Sequence, residues 1–186
     1  MMKRLLKTAK RKKDSIGDFQ PEAKQRDFKT IAITVVKFIA ILFAAYHLVN
    51  AATGFLGGFY QRIIHLTFAG ILTFLLYPLS QKWGKNNKIV FTVDLLLIVM
   101  LFSSLAYLYS QYELLRNRAG VPNDLDIVFG TITIILVLEG TRRLIGNPLP
   151  ILAALFILYA LFGNLSIVPS FLRHGGYEWD RILYHL

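Results

Sequence analysis

The chain has 186 residues, 55% hydrophobic and 17% charged, with a formal net charge of +10 and a mean hydropathy of +0.50. Apolar runs this long and this poor in charge exclude an ordinary soluble domain and indicate a membrane-spanning chain. The absence of cysteine excludes disulfides, thiolate metal sites and cysteine nucleophiles.

Residues 1–29 form a basic tail holding ten of the 21 Lys and Arg, against four acids (Asp14, Asp18, Glu22 and Asp27). No basic face with interleaved aromatics follows, so the charge points to membrane topology and not to nucleic acid. Leu5, Leu6 and Ala9 interrupt the lysines in the manner of an amphipathic helix on anionic lipid. The simpler reading, a disordered topogenic tail, is the one adopted.

A helix needs about 20 apolar residues to cross a bilayer, and five stretches qualify: Ile31–Thr53, Ile63–Leu79, Ile89–Tyr109, Leu125–Leu138 running on toward Ile145, and Leu149–Val168. The expected fold is therefore an all-α membrane protein of about five transmembrane helices. The first stretch is too long, and its basic flank too extended, for a signal peptide. The third continues in helical spacing through "SQYELLRNRAG" until Gly120 and Pro122 stop it.

Lys and Arg in short loops give the orientation. The tail, Lys82, Lys85, Lys88, Arg142 and Arg143 place fifteen basic residues on one side. Arg62, Arg116, Arg118, Arg173 and Arg181 place five on the other. The amino terminus is expected in the cytoplasm and the carboxyl terminus in the periplasm.

The stretch "LVLEGTRRLIGNPLP" is read as a helical hairpin corner. Glu139 precedes Arg142 and Arg143 by three and four residues, which puts all three on one helix face. Gly146 and Asn147 end that helix, and Pro148 suits the first turn of the next. Within the spans, Lys37 and Asp94 lie at similar depth from the cytoplasmic side and are predicted to pair. His47 is read as a neutral histidine bonded to another helix. His65 shares a face with Arg62 and is read as an interfacial anchor. Arg62, Glu113, Arg116, Arg118, Asp124 and Asp126 offer periplasmic charges of both signs to a docking protein.

No zinc-protease, nucleophile-elbow or phosphate-loop motif occurs, and the four histidines lack metal-ligand spacing. No enzyme activity and no cofactor or metal are expected. A transporter acting alone is also a poor fit, since five spans do not divide into paired repeats and no Gly/Pro break lies at midplane.

Several segments carry a family resemblance. "RIIHLTFAGILTFLLYPL", "YELLRNRAGVPNDLDIVFG", "LVLEGTRRLIGNPLPILAALFILYALFG" and "FLRHGGYEWDRILYHL" occur in this order. Together they resemble the fused membrane permease of TRAP (tripartite ATP-independent periplasmic) transporters, TAXI type. The resemblance covers about Arg62 to Leu186; the tail and first span are similar only in character. It implies a basic tail (1–29), a four-helix region like the small subunit (30–146), a connecting helix (147–168) and a periplasmic segment (169–186) leading to a large transport domain. It further implies import of organic acids with a sodium gradient, a periplasmic solute-binding protein as partner, and a multi-pass place in a bacterial or archaeal cytoplasmic membrane among its lipids. The family's sodium and substrate sites lie in the large region, so no such residue carries over. The alternative is a stand-alone membrane scaffold or interaction protein without transport activity.

Overall fold

The computed structural model describes residues 25–26, 30–79, 88–118 and 121–185. The tail before Gln25, together with Lys82 and Lys85 of the second basic cluster, lies outside the described residues. All regular structure among those described is helical: α1 (Thr30–Thr53), α2 (Gly58–Leu76), α3 (Lys88–Asn117), α4 (Asp124–Ile145), α5 (Pro148–Phe162) and α6 (Trp179–His185).

Three of these, α1, α2 and α3, are long and apolar enough to cross a membrane. The other two expected spans differ from them for physical reasons. At 22 residues α4 is long enough, but it carries Asp124, Asp126, Glu139, Arg142 and Arg143. α5 is wholly apolar but has 15 residues. It ends at Phe162, where the sequence predicts helix to Val168; apolar residues continue beyond Gly163, but as turns.

Helices α2, α3 and α4 pack against one another as a triangular bundle. Their shared core is Ile63 and Phe74 from α2, Leu101 and Leu105 from α3, and Leu136 from α4. Gly70 lets α2 lie close to α3: a Cβ there would overlap the Leu101 side chain. Small residues at such contacts are the usual means of close helix approach in membranes. α1 lies on α2 alone, and α5 and α6 lie on α4 and on each other. The apolar faces of α1 and α5 are left largely exposed, as expected of surfaces that meet lipid.

The turn between α4 and α5 has one obligatory glycine. Gly146 adopts φ 91° and ψ −170°, a region open essentially to glycine alone. Pro148 then occupies the first turn of α5, where its missing N–H leaves nothing unsatisfied.

Candidate functional site

The densest polar cluster sits at one end of the triangular bundle. Asp94, six residues into α3, is fully buried. A lone carboxylate in that position would be strongly disfavoured. Here both oxygens are taken: Oδ1 accepts from Arg143 Nη1 at 2.8 Å, and Oδ2 accepts from Arg26 Nη2. Arg143 continues the chain of charge. Its Nε donates to Glu139 Oε1 at 2.7 Å, and Glu139 also takes Nε and Nη2 of Arg142, each at 2.7 Å. The spacing of three and four residues on one helix makes this fork possible. Three guanidinium groups and two carboxylates thus form one connected network.

The same arginines close the end of α2. Its last carbonyls have no partner within the helix, and the negative end of its dipole favours cations there. Arg143 Nη1 donates to Tyr77 O at 2.9 Å, Arg142 Nη2 to Leu79 O at 3.3 Å, and the Arg26 backbone N–H to Leu76 O at 2.8 Å. Two rings complete the enclosure. The Arg143 guanidinium lies 4.8 Å from the Phe74 ring centre, and that of Arg26 lies 5.2 Å from Phe91. Arginine suits such sites because its planar fork bonds in several directions while its face stacks on a ring.

The expected pairing of Lys37 with Asp94 is not what the structure contains. Lys37 is exposed on α1, and α1 makes no packing contact with α3. Similar depth along two spans says nothing about which way a side chain faces. Asp94 faces α2 and α4, and its partners come from α4 and from the residues preceding α1. Arg26 is the functional-site residue that sequence reasoning missed. Its one distinguishing signal is its type, arginine in a tail whose cations are mostly lysine.

The opposite end is closed by different chemistry. Asn123 and Asp126 form a reciprocal capping box at the start of α4: Asp126 N–H donates to Asn123 Oδ1, and Asn123 N–H to Asp126 Oδ2, both at 2.8 Å. Tyr107 OH donates to Asp126 Oδ1 at 2.7 Å, and Arg118 approaches Oδ2 at 3.3 Å. Asp126 and Arg118, expected to be free for docking, are thereby engaged in joining α3 to α4. Of the other docking candidates, Arg62 donates through Nε to Gly58 O at 3.1 Å. Glu113 and Arg116 stay exposed, 3.9 Å apart, and Asp124 is exposed.

His47 and His65 meet between α1 and α2, with His65 Nδ1 3.0 Å from His47 Nε2. Phe43 and Phe68 stack beside them. His65 therefore pairs with the other histidine, in place of acting with Arg62. Among the described residues no group of three or more His, Asp or Glu is placed to hold a metal ion.

No protein-family model matches the chain, and no curated protein or solved structure matches it.

Proposed function

We propose that this chain is the scaffold portion, similar to a small subunit, of a TRAP-type permease that imports organic acids with a sodium gradient and a periplasmic binding protein. In this reading five helices cross the cytoplasmic membrane. The Asp94 network lies at the cytoplasmic face, the Asn123 cap lies at the periplasmic face, and a large multi-span transport domain or subunit packs alongside. The charges of α4 do not prevent it from spanning, because they cluster at its two ends, where Asp126, Glu139, Arg142 and Arg143 are paired and Asp124 is exposed at the helix start.

The observation that carries the proposal is the network of Arg26, Asp94, Arg143, Glu139 and Arg142. It ties α2, α3, α4 and the segment before α1 into one unit through ion pairs and bonds to the end of α2, with Arg26 Nη1 and Arg143 Nη2 left without a hydrogen-bond partner. That is a design for holding shape, which a fixed scaffold requires. The same Glu-x-x-Arg-Arg residues are among those that carry the family resemblance.

The test begins with an immunoblot of source membranes, using an antibody to residues 1–29. A band several times larger than 21.2 kDa supports a fused permease, and sodium-driven uptake of organic acids is then measured on that protein. A band near that mass, co-purifying with a large multi-span membrane protein, supports a separate subunit. A band near that mass with no such companion defeats the proposal.

A further inference from the structure

Helix α5 is shorter than its composition demands. Its 15 residues rise about 22 Å at 1.5 Å per residue, against a hydrocarbon core about 30 Å thick. None of them is buried within the chain. Past Gly163 the apolar character persists without the helix. Ile167 and Phe171 are the two most exposed large apolar side chains described, at 86% and 82%.

The turns after α5 satisfy part of their own backbone. Val168 N–H donates to Leu165 O at 3.1 Å, and Leu172 N–H to Pro169 O at 2.9 Å. The Arg173 guanidinium donates to Ser166 O and to Val168 O, each at 3.1 Å, and Tyr159 OH donates to Leu172 O. His174 N–H donates to Gly163 O at 3.2 Å, and its ring occupies the space that any Cβ at position 163 would fill. The N–H groups of Ile167, Ser170 and Phe171 find no such partner, which suits a loop at the lipid–water boundary, where water can still reach the backbone.

The chain then turns back. Tyr177 N–H donates to Ala160 O at 2.9 Å, level with the last turn of α5. Trp179 Nε1 donates to Thr131 Oγ1 at 2.8 Å, and Leu183 packs on Gly130, where a Cβ would lie 3.1 Å from it. Thr131 is about 10 Å along α4 from its Asp124 end at helical rise. The described residues of the segment 169–186, expected as a periplasmic lead into a large transport domain, thus pack back on α4 and α5. Aromatics also gather at this level. Tyr109, which packs on Tyr60 at 4.8 Å, stands about 22 Å along α3 from Asp94 at the same rise, matching the height of α5. Tyr60, Tyr109 and Trp179 thus lie toward the same end of the bundle, where Tyr and Trp commonly meet the lipid–water boundary.

We infer that residues 163–172 form a membrane anchor lying in the outer lipid interface, with Ile167 and Phe171 set among acyl chains, completing the crossing that α5 begins. The occupant is lipid because the exposed apolar surface of the loop is continuous with that of α5 and lies toward the end of the bundle that carries Tyr60, Tyr109 and Trp179. The inference rests on the membrane reading above.

The test uses the absence of native cysteine. Single spin labels are placed by I167C and F171C in the full chain, reconstituted in nanodiscs of phosphatidylethanolamine and phosphatidylglycerol. Collision with oxygen and with a water-soluble nickel chelate is measured by power saturation. V99C, exposed mid-way along α3, is the lipid reference, and E113C is the water reference. The expected result is that labels 167 and 171 favour oxygen over nickel, as 99 does, while 113 favours nickel. Labels 167 and 171 behaving like 113 would overturn the anchor. So would low collision with both reagents, which signifies a protein covering the loop. A label at 99 that fails to favour oxygen overturns the membrane reading itself, and the anchor with it.

Discussion

At the Asp94 end of the bundle, three arginines and two carboxylates are interlocked around an acid with no exposed surface. At the Asn123 end, the same helices are joined by one capping box, a tyrosine hydroxyl, a stack of Tyr107 on Phe129 at 4.4 Å, and a single partly exposed arginine. Both ends pair buried polar groups, Arg26 Nη1 and Arg143 Nη2 excepted, but they are expected to respond differently to damage. In the first, Asp94 is the shared partner of two buried arginines, so removing it strands their charge. In the second, the partners are mostly backbone groups and neutral side chains, so removing one costs a hydrogen bond. Connectedness of charge, more than the number of contacts, separates a site that fails abruptly from one that weakens by degrees.

The comparison breaks if the two ends prove equally sensitive. Asp94→Ala leaves Arg26 and Arg143 buried without their common partner. It is expected to cost about 3–5 kcal/mol, the usual effect of breaking a buried ion pair, read as loss of the folded fraction during thermal or denaturant unfolding in detergent. Gly70→Val, in the neutral middle of the bundle, forces α2 away from Leu101. An overpacking cost of about 1–3 kcal/mol is expected in the same assay. Asn123→Ala removes the side-chain half of the cap and should cost about 1 kcal/mol. A loss as large as that for Asp94→Ala would erase the distinction. Lys37→Ala sharpens the first comparison from the other side. With Asp94 served by arginines, this exposed lysine should change stability by less than about 0.5 kcal/mol. Exchanging the two charges as Lys37→Asp with Asp94→Lys should rescue nothing.

Legibility in the sequence followed the range over which each rule operates. The fork of Glu139 on Arg142 and Arg143 was readable because helical spacing alone brings these residues together. The turn at Gly146 and Pro148 was readable for a similar reason, since the backbone preferences of those two residues are local. The helix past Tyr109 could be followed to its stop because nothing but spacing was needed. Partners separated by 68 and 49 residues, Arg26 and Arg143 of Asp94, required knowing which helix faces which. Hydropathy carries no such information, and α1 turned out not to touch α3. The end of α5 was misjudged because hydrophobicity was taken as a sign of helix, whereas Gly163 and the turns behind it are apolar without being helical. Helix α6 was not anticipated at all: seven residues are too few for periodicity to speak, and its place is set by Trp179 reaching Thr131.

The order of residues in the Asp94 network also has a direction in time. A chain is made from its amino end, so Arg26 precedes Asp94 out of the ribosome, whereas Arg143 follows it by 49 residues. The counter-charge in the tail is therefore available from the moment Asp94 is made, and the one in α4 only later.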